Sequence, residues 1–217
     1  LAAAAELHAL LSQRGIFVSG QNVRGAVPPS ATDLATVTSS PMTEVVKEML
    51  TNSDNNTAEL LLKEIGLVAK KSGSTAAGLQ VVQETLAQWG IADVVMQDGS
   101  GLSSANKISC NVFAKLLARE TKTLPSLLAV AGVSGTIRDS FESSSVKGRL
   151  VGKTGTLNGV KALVGYLPLE GEQPVMFSLI LNRAGIDNKT AYRPIWNALG
   201  DALNRASATP KTDQLAP

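Results

Sequence analysis

Two short groups of residues carry side chains that can do chemistry. Lys153-Thr154-Gly155 sets a cation beside a hydroxyl. Together they can hold a carboxylate, charge coming from the ammonium and a directional hydrogen bond from the hydroxyl. Gly155 removes a side chain where another backbone can come close. On a sheet edge, this strand would let an extended peptide pair along it with its terminal carboxylate at Lys153 and Thr154. Ser53-x-Asn55 is the second group: the hydroxyl can relay a proton, and the amide can hold a substrate carbonyl or orient a lysine. Taken alone, each has a plainer reading, a common tripeptide and a well-capped turn without chemistry. Gly152-Lys153-Thr154 also matches the second half of a phosphate loop. That motif needs Gly at position 147, where Lys147 stands, and a helix directly after Lys-Thr. Glycine and strand-like residues follow instead, so the nucleotide reading is discarded.

The first group must sit on a hairpin. Residues 150–167 read as two apolar strands joined at Asn158-Gly159, the strongest short-range hairpin dipeptide. Val175 to Leu181 reads as a third strand. The second group must sit between helices. Pro41 opens one, with Val45, Val46, Met49 and Leu50 on one side. Six small polar residues, Thr51 to Asn56, break it, and a second helix runs from Thr57 to Lys71. Asn56 and Glu59 have the spacing of a capping box. Further helices are expected over residues 2–14, 75–89, 109–120 and 124–130, and from Arg193 to about Arg205. Ile16-Phe17-Val18 and Leu34 to Val37 are brief strand candidates. Residues 97–103 form a turn-rich loop. Strands gather late and helices early, which implies α+β with an antiparallel sheet and packed helices.

Composition narrows the rest. The chain has 217 residues, 44% of them hydrophobic, enough for a real core. Net charge is +2, so no nucleic-acid or membrane field is implied. No apolar run approaches the roughly 20 residues of a membrane span. Cys110 is the only cysteine and lies in a helical pattern, so a small buried apolar group is expected. His8 is the only histidine, which rules out a His-rich metal site and argues against a His-based triad. The start at Leu1 has no initiating Met and no secretion signal, so a longer product is expected.

Ser53-x-Asn55 followed about a hundred residues later by Lys153-Thr154-Gly155 forms two parts of a three-part signature; Ser-x-x-Lys is the third. Residues 41–55, Asp98-Gly99-Ser100-Gly101-Leu102-Ser103, Gly135-Thr136-Ile137-Arg138-Asp139 and residues 152–157 add ordered blocks. With these, the chain resembles the penicillin-binding serine D,D-peptidases, more narrowly the low-molecular-mass class C D-alanyl-D-alanine carboxypeptidases/endopeptidases. The resemblance runs from about Ala5 to Leu203. It implies a partial serine beta-lactamase/D,D-peptidase (transpeptidase-like) fold. Residues 1–205 would be the C-terminal part of the catalytic domain, and 206–217 a flexible tail.

The resemblance also implies roles. The chemistry is acyl transfer from a D-Ala-D-Ala peptide to a serine that penicillins also acylate. Ser53 would pass a proton to the departing amine, and Asn55 would bind the substrate amide and orient a lysine. Lys153 would keep the cleft positive and bond Ser53, and Thr154 would hold the terminal carboxylate. The Thr156 N–H would be an oxyanion donor beside Gly155. Residues 98–103 would be architectural. No metal or organic cofactor is needed. The partners implied are peptidoglycan stem peptides, beta-lactams as inhibitors and the N-terminal half of the same domain, in an extracytoplasmic space. The departure is the nucleophile: nothing before Ser53 fits Ser-x-x-Lys. Ser104-Ala-Asn-Lys107 and Ser144-Ser-Val-Lys147 come after Ser53, outside the family's order, and read as coincidence. The nucleophile is expected outside this chain. A non-catalytic cell-wall-binding or scaffold protein that kept the fold without a nucleophile is the alternative.

Overall fold

A computed structural model describes residues 1–33, 35–170 and 172–208, in two units, 1–39 and 40–217. The first unit holds α1 (Ala2–Gln13), which buries no residue. Gly15, at φ 77°, donates to Ser12 O, and Ile16 donates to Leu11 O, closing the helix end with two bonds. That closure uses the Ile16 amide. Residues 16–18, expected as a strand, are irregular, and no strand pairs with them among the described residues. Residues 35–37 are irregular too, while Leu34 lies outside the described residues.

The second unit is built on an antiparallel sheet in sequence order: β1 (Ala129–Val130), β2 (Val151–Leu157), β3 (Val160–Leu167) and β4 (Val175–Asn182). The hairpin forms where Asn158-Gly159 indicates, with Gly159 at φ 74°. β1 was not foreseen. The apolar stretch expected as a helix over 124–130 is a 3-10 turn at Leu124–Leu127 and then this short strand. Pro125 at the head of the turn fixes its entry, and the extended Leu128 releases the chain into the sheet.

Strand alternation sorts the sheet's two faces. Leu163, Leu167 and Phe177 pack with Tyr192, Trp196 and Leu203 of α6 (Lys189–Ala208) and with Ile137 and Phe141. Tyr166, Val164 and Val151 face the other way, against Leu128, Leu50 of α2 (Met42–Asn52) and Leu117 of α5 (Cys110–Arg119). Tyr166 is fully buried and donates its hydroxyl to Leu117 O at 2.9 Å. Burial and the Glu120 charge push that phenol up to about 12. α6 begins four residues before the expected Arg193. Its Pro194 stands inside the helix, in the second turn, where it has no N–H to give to Thr190 O. It also runs three residues past Arg205, so Ala206–Ala208 are helical; the rest of the expected tail, 209–217, lies outside the described residues.

α3 (Asn55–Lys70) and α4 (Thr75–Gln88) pack in close contact. A Cβ on Gly78 would lie 2.1 Å from Leu62 O, and one on Gly66 2.7 Å from Gly78 N. Glycine at these positions is what permits the approach. Cys110, expected to be buried, is exposed: as the first residue of α5 it precedes the stripe that faces the core.

Candidate active site

The break between α2 and α3 is tighter than the six polar residues suggested. α2 continues through Asn52 and α3 starts at Asn55, leaving only Ser53 and Asp54 between them. Ser53 closes α2 in the left-handed region at φ 59°, ψ 49°, unusual for a non-glycine residue. Asp54, not Asn56, caps α3, accepting from the Thr57 N–H at 2.7 Å. Glu59 is thereby free of the expected capping box. Its Oε1 instead accepts from Gly99 N, Ser100 N and Ser100 Oγ at 2.7–3.0 Å. Asp98 accepts from Gly101 N, Ser103 N and Asn106 Nδ2. Partial burial pushes the Asp98 carboxyl up, but the bonds from Asn106 and the loop amides outweigh it and hold the group below its ordinary value. The 98–103 loop is thus pinned at both ends to carboxylates.

The end of α2 is fixed from below. A Cβ on Gly135 (φ 57°) would sit 2.2 Å from Thr51 O and 2.8 Å from Ala129 Cβ. The Thr51 hydroxyl donates to Leu127 O at 3.4 Å. These contacts bring the α2–α3 bend to β2. Lys153 Nζ donates to Ser53 Oγ at 2.7 Å and to Thr154 O at 2.8 Å. Burial, and then the like charge of Lys161, lower the Lys153 ammonium from 10.5 to about 8. Asn55 is exposed on the first turn of α3, two residues from Ser53.

β1 covers β2 only at Val151 and Gly152. From Lys153 to Leu157 the side away from β3 is an open edge among the described residues. The ladder shows which backbone groups face it. Ala131 N donates to Leu150 O at 2.9 Å, so residue 150 points toward β1. In an antiparallel strand that direction alternates. Residues 152, 154 and 156 share it, which aims the Thr154 and Thr156 amides at the open side. A Cβ on Gly155 would meet only Ala162 Cβ at 3.5 Å, an ordinary contact, so nothing inside the chain demands glycine there. Thr154 Oγ1 lies 2.8 Å from Thr136 Oγ1. Thr136 stands in the Gly135–Asp139 block, but nothing in the sequence marks it as a neighbour of Thr154. The contact crosses 18 residues.

A D-Ala-D-Ala carboxypeptidase 3 (S13) family model matches residues 1–201. The chain belongs to that family. This S13 chain is 35% identical over 188 residues to a D-alanyl-D-alanine carboxypeptidase of Actinomadura sp. (strain R39), covering 79% of this chain and 35% of that protein. It is 28% identical over 198 residues to the D-alanyl-D-alanine carboxypeptidase DacB of Haemophilus influenzae, covering 85% and 41%. Penicillin binding protein 4 (dacB) of Haemophilus influenzae, solved in complex with a beta-lactam, superposes with a TM-score of 0.72 at 27% identity. That match covers 91% of this chain and 50% of the solved one. The α+β fold with its antiparallel sheet is therefore that of the penicillin-binding peptidases, and the S13 chain spans half or less of each of these relatives.

Neither late Ser-x-x-Lys match looks like a nucleophile. Ser104 lies in a turn, and Lys107 is in an isolated bridge with Val95. Ser144 Oγ accepts from Val146 N inside a run of turns, and the Lys147 stem lies over Gly132. Neither serine opens a helix, and neither bonds Lys153 among the described residues.

Proposed function

We propose that the S13 chain supplies one wall of a serine-type D-Ala-D-Ala carboxypeptidase/endopeptidase site acting on peptidoglycan stem peptides, with a Ser-x-x-Lys nucleophile contributed from outside these residues. The observation that carries this reading is the 2.7 Å bond between Lys153 Nζ and Ser53 Oγ, made at the open edge of β2. An extended peptide pairs along residues 154–156, and its terminal carboxylate meets the Lys153 ammonium and the Thr154 hydroxyl. The absence of a side chain at Gly155 lets the peptide backbone lie against the strand. The serine attacks the scissile carbonyl, its proton passing to the lysine of the same Ser-x-x-Lys motif, and the Thr156 N–H stabilises the oxygen that gains charge. The C–N bond then breaks, and Ser53 passes a proton to the departing D-Ala amine, the Lys153 ammonium holding Ser53 in place. Asn55 binds the substrate amide from the mouth of α3. Water releases the acyl group. Beta-lactams mimic the peptide and stop at the acyl stage. Such substrates place the protein in an extracytoplasmic, cell-wall space.

The test is made on the intact gene product with fluorescent penicillin. Labelling is expected, and Lys153→Ala should reduce its second-order rate by at least about 100-fold, the scale of losing one site donor, with the circular dichroism spectrum unchanged. Normal labelling by Lys153→Ala would refute the assigned role. An intact product with no Ser-x-x-Lys and no labelling would instead make this a wall-binding or scaffold protein.

A further inference from the structure

Lys161 is a charged side chain where charge is rarely kept. It lies on β3, only 8% exposed, and among the described residues no carboxylate oxygen comes within 4.0 Å of its ammonium. Its Nζ sits 4.2 Å from the Tyr192 ring centre and 5.0 Å from that of Trp196. Its hydrogen bond goes to Thr156 Oγ1 at 2.8 Å. Thr156 and Lys161 are direct cross-strand partners, so the two side chains stand on one face of the sheet. A buried ammonium needs compensation, and here two aromatic faces and one hydroxyl provide it. Everything it grips beyond the aromatic floor is the residue whose amide faces the open edge.

We propose that Lys161 is a positioning residue for the peptide-binding edge: clamped over Tyr192 and Trp196, it fixes the Thr156 side chain and so the orientation of the Thr156 N–H. This rests on the acyl-transfer reading for its effect on rate, though not for the contact itself. Lys161 acts through Thr156 and touches no substrate. Other charges near it are Asp187 before α6, Lys189 on α6 and Lys153 on β2. Burial lowers the Lys161 ammonium from its ordinary value, Asp187 opposes that shift and Lys189 adds to it.

Three variants of the intact protein test the clamp. Lys161→Met keeps the apolar stem over the rings and removes the cation. It should slow penicillin acylation about tenfold, in the acylation step rather than in initial binding. Lys161→Arg should restore most of that loss. Thr156→Val should slow acylation to a similar degree, and the double variant should be no slower than either single one. Normal acylation in Lys161→Met, or fully additive losses in the double variant, would overturn the proposal. A second readout does not depend on chemistry: the Lys161 Nζ resonance should move on Thr156→Val, and an unmoved resonance would also overturn it. Wild-type protein that binds no penicillin would sink the acyl-transfer reading, and the resonance would still decide the contact.

Discussion

Ser53 combines two demands in one residue. Its hydroxyl receives the Lys153 bond, and its backbone occupies the left-handed region. A Cβ there is strained by about 1 kcal/mol relative to glycine. Ser53→Gly and Ser53→Ala should therefore lose acylation alike, while the glycine variant unfolds at higher denaturant by about that amount. Equal stabilities would mean the bend carries no strain. Lys153 makes a pH prediction. Its ammonium is lowered to about 8 in the folded chain from 10.5. Between those values the unfolded chain binds more protons, so stability rises with pH through the window. The burial penalty is fully present below about pH 8 and gone near 10.5. Chemical denaturation of wild type against Lys153→Met should show wild type gaining on the variant by about 1–2 kcal/mol from pH 8 to 10.5, discounted for partial exposure. A constant difference would refute it. The meeting of Ser53 with Lys153 could be anticipated, because a hydroxyl at a helix break and a cation on a hairpin strand are polar groups set where the chain must turn or pair. The contact of Thr154 with Thr136 and the seat of Lys161 over Tyr192 and Trp196 could not, because both exist only once the hairpin meets distant segments.

At the scale of elements, the contact between α3 and α4 positions the α2–α3 bend, because α3 starts there. Gly78→Ala would drive a methyl group against Leu62 O at 2.1 Å and should destabilise the protein by about 2–3 kcal/mol, read as a lower Tm. A Tm within a degree of wild type would show that the two helices part freely. The end of α4, the start of α5 and the central hairpin could be read from local chemistry: Gly90 at φ 67°, the Ser109 side chain accepting from Val112 N, and Asn158-Gly159 all act within a few residues. What could not be read depended on partners. β1 is two residues long and exists only through Val151 and Gly152. The capping pair at Asn56 and Glu59 lost to Asp54, because Glu59 is held 40 residues away by the 98–103 loop.

At the scale of the whole molecule, one face of α3 is left bare. Leu60, Leu67 and Val68 are 46–66% exposed there, with Met42 on α2 and Leu102 in the pinned loop also open. Folded domains seldom leave such residues together without a covering surface. On the proposed reading, in which further residues complete the domain, this chain alone should bind a hydrophobic dye strongly and the completed domain several-fold less. Equal dye binding per molecule would show that nothing further covers the face. The open margin of β2 has its own consequence. Unpaired strands invite copies of themselves, molecule adding to molecule until fibrils form. Here the Lys153 ammonium already occupies the Thr154 carbonyl, and β1 blunts the other end. The cation that the proposed reading assigns to a carboxylate-ended peptide would thus also hinder a second copy of the strand from pairing at Thr154.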